Sequence, residues 1–118
     1  MKGIIILTVC ILTATAALAT EPVNETLSIE ADFNTATAKS KQLSKAQVLI
    51  FSAKWCAPCI KMQENTLTDA AVVRFLNDNT INTVVDIDTR EGFRLMSEFE
   101  VKELPSVIIL DENGTEIG

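Results

Sequence analysis

An α/β fold, with a mixed sheet covered by helices, is what this sequence predicts, and three features point to it. Apolar runs of strand length alternate with segments of helical spacing. The run Val48-Leu49-Ile50-Phe51 is apolar without a break, the mark of a strand buried on both faces. Asn113-Gly114, directly after Val107-Ile108-Ile109-Leu110, signals a tight hairpin, so antiparallel pairing joins the strand–helix alternation.

The elements follow in chain order. Lys2, the uncharged apolar run Ile4 to Leu18 and the small-residue site Ala17-Leu18-Ala19 form the pattern of a secretory signal peptide over 1–19. That run is about 15 residues, short of the roughly 20 that a spanning helix needs. The segment is expected to engage the secretion machinery and to leave with Cys10, making Thr20 the first mature residue. Residues 20–27, with Glu21-Pro22, read as a flexible mature N-terminus, and 28–118 as one domain.

Asp32 to Lys45 reads as an amphipathic helix with Phe33, Ala36 and Leu43 inward. After the strand Val48–Phe51, Ser52-Ala53-Lys54-Trp55 leads into Cys56-Ala57-Pro58-Cys59. Cys59 to Thr66 reads as a helix with Ile60 and Met62 packing inward. Thr68 is the expected N-cap of a helix carrying Val72, Val73, Phe75 and Leu76. Ile81 to Ile87 reads as a strand. Asp88 is the expected cap of a helix bearing Phe93, Leu95, Met96 and Phe99. Leu104-Pro105 connects to the strand Val107–Leu110, and Thr115-Glu116-Ile117 begins the return.

Composition narrows the function. Removing nineteen residues leaves 99 of the 118, with nine of the ten basic residues and all 16 acidic ones, a net charge of −7. An acidic chain without a basic cluster has no footprint for nucleic acid and is a poor partner for anionic membranes. Two cysteines remain, Cys56 and Cys59, and the chain has no histidine. A structural zinc site wants four Cys or His ligands, so no metal is expected. A bridge between cysteines three apart closes too small a loop to act mainly as a staple. Redox chemistry is the remaining use. Cys56 lies where a strand gives way to a helix, and the positive end of a helix favours a thiolate there. Pro58 falls near the helix start, where a missing N–H costs little. Lys54 and Lys61 read as solvated surface lysines. Asp86 and Asp88 lie near the end of a strand and read first as a solvated strand residue and a helix cap, with a proton acceptor as the lesser reading of either.

Trp55-Cys56-Ala57-Pro58-Cys59 after a buried strand, with Leu104-Pro105-Ser106 about 45 residues later before another strand, resembles the thioredoxin-like superfamily. Phe51 to Cys56 and Thr68-Asp69-Ala70-Ala71-Val72 are most similar to short bacterial thioredoxin-like proteins and to the C-terminal domain of the interchange protein DsbD. The Ala-Pro pair also resembles TlpA-like periplasmic reductases. The resemblance covers about 28–118 and implies a thioredoxin fold. It implies that Cys56 attacks a substrate disulfide and Cys59 resolves the mixed disulfide, with no cofactor beyond the Cys56–Cys59 redox pair. It implies supporting roles for Trp55, Pro58 and a cis Pro105, and substrate contacts through Leu104 and Ala57. Proline at position 58 belongs to the reducing members. Two departures stand out. Ile50 occupies the place of the buried aspartate six residues before the first cysteine. The family's closing C-terminal helix is absent, so the domain is expected to be C-terminally incomplete.

The expected function is an exported thiol–disulfide oxidoreductase, in the periplasm or secreted. It would act as a monomer on protein thiol and disulfide substrates, fed by a membrane electron donor. A disulfide oxidase or isomerase is the alternative within the class. A thioredoxin-fold binding module with a vestigial motif is the alternative outside it.

Overall fold

In the computed structural model, which describes residues 3, 15–16 and 25–118, three strands form one sheet. They are β1 (Ala46–Ser52), β2 (Thr80–Asp86) and β3 (Ser106–Leu110), in the order β2-β1-β3. β1 pairs parallel with β2 and antiparallel with β3, so the sheet is mixed as expected. The expected signal peptide over 1–19, including its cleavage site and Cys10, lies outside the described residues apart from Gly3, Thr15 and Ala16. Residues 20–24 lie outside them as well.

β1 is central because its apolar run has to be covered on both faces. On one face Leu49 and Phe51 join Val85, Leu95, Val101 and Leu110 in the larger core cluster. α1 (Phe33–Leu43) and α4 (Arg90–Glu98) cover that face. Phe99 packs edge-on against Phe33 at 6.2 Å and Phe51 at 6.5 Å between ring centroids, joining both helices to β1. On the other face Val48 and Ile50 pack with Leu67, Met62 and Leu76. α2 (Ala57–Lys61), its direct π-helical continuation Met62–Thr66, and α3 (Ala70–Asn79) lie there. Phe51 has no exposed surface, and truncating such a side chain to Ala costs about 3–5 kcal/mol.

Several local expectations change. Leu43 is exposed, because it ends α1 where Ser44 turns into the left-handed region at φ 51° to enter β1; Ala36 and Ser40 take the inward positions. Ile60 is exposed, since Cys59 and Met62 take the inward face of their helix. Thr68 is not the cap of α3: its hydroxyl donates to the Glu64 carbonyl and closes the π-helical turn. Asp69 caps α3 instead, accepting from Ala71 and Val72. Asp88 does not cap α4; Thr89 does, accepting from the Gly92 N–H at 3.0 Å.

The described part of 20–27 is tied to the domain. Asn77 donates to the Glu25 carboxylate and the Thr26 carbonyl, and Leu27 packs on the second cluster. The Asn113-Gly114 turn forms as expected, with Gly114 at φ +81°. The Asp111 carboxylate accepts from both Asn113 and Thr115 at 2.9 Å. The return is a single bridge, Leu110 to Glu116.

The register gathers three loops at one end of the sheet. Ser52 and Asp86, the last residues of β1 and β2, are direct partners, and the Ile87 N–H donates to the Ser52 carbonyl. β3 runs the other way, so its first residue, Ser106, pairs with Phe51. The segments after β1, after β2 and before β3 therefore meet.

Candidate functional site

The site begins with the end of β1. Ala53 turns the chain, its carbonyl accepting from the Cys56 N–H at 3.1 Å, and α2 starts at Ala57. Cys56 is the N-cap of that helix, with extended backbone at φ −87° and ψ 101°. Its sulfur, rather than a side-chain oxygen, accepts the Cys59 N–H at 3.3 Å. A cap sulfur at the positive end of a helix sits where negative charge is favoured. Pro58 lies in the first turn, where the backbone N–H has no intrahelical acceptor to lose.

Cys56 and Cys59 form a disulfide with Cα atoms 5.3 Å apart. Cys56 is 6% exposed and Cys59 1%, so Cys56 is the sulfur nearer to a partner. Ala53, Ile87 and Leu104 pack around the pair. The Leu104–Pro105 peptide bond is cis.

Trp55 is 69% exposed, and its indole N–H donates to the Asp88 carboxylate at 3.2 Å. That bond links the loop after β1 to the loop after β2, across 33 residues of sequence. It also explains why Asp88 does not cap α4. Asp86 accepts from the Asp88 N–H at 3.0 Å and holds the same loop. Gly92 is essential to this arrangement. A β-carbon there would lie 1.8 Å from the Asp86 carbonyl oxygen, so only glycine lets α4 approach β2 so closely.

A cavity of about 420 Å³ opens beside the disulfide. Trp55, Cys56, Ala57, Pro58 and Leu104 line it, which brings five of the seven expected site residues together. Cys59 lies beneath them, and Pro105 follows Leu104 in the chain. Ile87, Met96 and Lys102 complete the wall and were not singled out from sequence. Met96 stood there only as one apolar residue of a helix, and nothing local marks its position beside the disulfide. Lys54 is exposed and lines a separate cavity with Ile60, Gln63 and Val84, and Lys61 is exposed as well. Ile50 is buried with Val84 as its register partner on β2, so an apolar pair occupies that interior position. Among the described residues, no group of three or more His, Cys, Asp or Glu side chains is placed to hold a metal.

Comparison with known proteins agrees with this geometry. Residues 32–118 match the family described as thioredoxin-like domain. The thiol:disulfide interchange protein DsbD of Pectobacterium atrosepticum is 33% identical over 88 residues, which is 74% of this chain and 15% of that protein. The chain thus spans about 15% of the length of this curated relative. Among solved structures, DsbH oxidoreductase superposes with a TM-score of 0.75 at 24% identity, covering 84% of this chain and 76% of that one. A thioredoxin from Thermus thermophilus gives 0.70 at 23% identity, covering 80% and 73%. The oxidised C-terminal domain of Neisseria meningitidis DsbD gives 0.57 at 24% identity, covering 76% and 83%. These structural likenesses establish the thioredoxin fold. The match over 32–118 shows that the chain belongs to the thioredoxin-like domain family, and it carries a Cys-x-x-Cys disulfide at the head of α2.

Proposed function

We propose that this chain reduces disulfides of exported proteins, with Cys56 as nucleophile and Cys59 as resolving thiol. The observation that carries the reading is the Cys56 sulfur acting as the cap of α2 beside an open cavity. In the reduced protein the Cys56 thiolate attacks one sulfur of a client disulfide. The client S–S bond breaks, a mixed disulfide forms, and the departing client sulfur takes a proton. Cys59 then loses its proton and attacks the Cys56 sulfur. The second client thiol leaves, and the Cys56–Cys59 disulfide remains. The client gains two electrons and this chain loses them.

Ile50 offers no carboxylate to accept the Cys59 proton, so water reaching the site takes that part. Trp55 and Pro58 shape the surface around Cys56. Leu104, with Ala57 opposite, contacts the client, and the backbone before Pro105 pairs with an extended client segment. The reducing direction is supported by Pro58, which brings neither charge nor N–H to the disulfide, and by the absence of histidine from the chain. A membrane dithiol donor would restore the reduced state, and the apolar leader over 1–19 would place the domain outside the cytoplasm.

The test is insulin reduction with dithiothreitol, followed by equilibration with glutathione buffers. A potential nearer thioredoxin's, about −270 mV, than DsbA's, about −120 mV, is expected. A potential near the latter would make the protein an oxidase. No acceleration over dithiothreitol alone would leave a binding module with a vestigial motif.

A further inference from the structure

β2 lies at one end of the sheet order, and its outer edge is only partly covered. Two bonds fix which groups face outward. The Ile87 N–H donates to Ser52 at the end of β1, whereas the Asn82 carbonyl accepts from the Glu30 N–H on the outer side. Val84, two residues after Asn82, therefore turns its N–H and C=O outward too. There the chain that bridges through Ile29 has bent away into α1. Among the described residues, no backbone group pairs with Val84 on that side. A cavity of about 260 Å³ adjoins this edge. Ala31 and Phe33 wall it at the start of α1, Thr83 and Asp86 on β2, and Glu91 and Leu95 on α4. Thr83 is 3% exposed, and its hydroxyl has no hydrogen-bond partner within the chain. Buried hydroxyls are rarely left unpaired, so this one points to a partner from outside.

Charge decides what that partner is. Asp32, Asp86 and Glu91 all line the cavity, each half-buried, and no basic side chain lines it. Asp32 caps α1 through both of its oxygens. One Asp86 oxygen accepts from the Asp88 N–H. Among the described residues, neither Glu91 nor the exposed Arg90 beside it forms an ion pair. The starts of α1 and α4 bring about half a positive charge each, which three carboxylates outweigh. The cavity therefore favours a cation. Its acceptors are not grouped closely enough to hold a metal ion. Phe33, Val85 and Leu95 offer an apolar wall to a hydrocarbon stem. Acceptors spread in this way suit the five N–H donors of a guanidinium better than the compact head of a lysine.

We propose that this cavity binds an arginine side chain carried by an extended segment of a partner protein, with that segment paired to the edge of β2 at Val84. The guanidinium donates to Asp86, Glu91 and the Thr83 hydroxyl. The cavity shares no lining residue with the one beside the disulfide, so the inference does not rest on the exchange reaction.

The test is an amide chemical-shift titration of the protein with short blocked peptides. Each carries a central arginine, lysine or citrulline, the last keeping the shape of arginine without its charge. The amides of Thr83, Val84 and Gly92 should move with the arginine peptide, less with lysine and not with citrulline. Thr83→Val removes the hydroxyl and keeps the shape. It should weaken arginine binding about tenfold with no loss of thermal stability, because the hydroxyl has no partner to lose in the free protein. Glu91→Gln should weaken it about threefold, and it keeps the test decisive if Thr83→Val does not fold. Equal binding of citrulline, unchanged binding in either folded variant, or no shift with any peptide overturns the proposal. So does ethylguanidinium that binds as tightly as the arginine peptide, since the site would then need no extended segment. Calcium that moves the same amides at a lower concentration than the peptide would make this a metal site and overturn the proposal as well.

Discussion

α3 and α2 begin by the same rule and to different ends. At α3 the Asp69 carboxylate accepts the N–H groups of Ala71 at 3.0 Å and Val72 at 3.1 Å, on an exposed corner. At α2 the Cys56 sulfur accepts the Cys59 N–H at 3.3 Å, almost wholly buried. Both caps satisfy donors that a helix leaves open at its start. Asp69 needs no chemistry to do so. The Cys56 sulfur gains a full negative charge only when the disulfide opens, so the same helix end that orders the backbone would also stabilise the proposed nucleophile. A capping position becomes a reactive one when the capping atom can change its charge and the loops around it admit a partner.

The largest expected effect separates cap from nucleophile. Cys56→Ser keeps a side-chain oxygen at the cap and should lose turnover by roughly 10³-fold or more. Cys59→Ser, which lacks the bridge equally, should accumulate client mixed disulfides on Cys56, visible by mass spectrometry. Equal trapping by both variants would show that the two cysteines do not divide the roles.

A third helix start, that of α4, depends on space as well as on its Thr89 cap. Gly92→Ala places a β-carbon 1.8 Å from the Asp86 oxygen, so α4 has to move from β2. A loss of about 1–3 kcal/mol in denaturant unfolding is expected, with a shifted Trp55 emission because the Asp88 loop moves too. Unchanged stability would mean that the approach of α4 to β2 is easily relaxed.

Pro58→His sharpens the comparison by adding charge at α2. An imidazolium beside the cysteines favours the thiolate over the disulfide and should raise the potential by about 30 mV, or about 1.4 kcal/mol. Glutathione equilibration that shows no rise would remove the argument for a reducing protein.

The smallest effects lie at the oxygen caps. Asp69→Ala should cost about 1 kcal/mol with activity retained. Asp32 caps α1, where the Thr35 N–H, and then the Thr35 hydroxyl, hold its carboxyl below the usual 3.8. A carboxyl lowered in the folded state adds stability above its unfolded value and loses it as the pH falls through the folded one. The small melting-temperature gap between wild type and Asp32→Ala should therefore be full at neutral pH and close below about 3.8. A gap that persists in acid would show that the cap acts without its charge.

Much of this could be read from short windows. The buried strand over Val48–Phe51, the helix start after Cys56 and the turn at Asn113-Gly114 obey rules that act over a few residues, so their sequences were sufficient. The Cys56–Cys59 pair and a turn at Leu104-Pro105 could be picked out locally, whereas the cis bond was expected only from the family resemblance. Leu43 and Ile60 were misplaced because helical spacing names an apolar face without saying where the neighbouring strand ends. The partnership of Trp55 with Asp88, the need for Gly92, and the places of Ile87 and Met96 in the cavity beside the disulfide were not legible at all. They follow from the pairing of Ser52 with Asp86, which brings together loops more than thirty residues apart. Hydrogen bonding along two strands and the close fit of α4 on β2 set that meeting, and neither is encoded within any one segment.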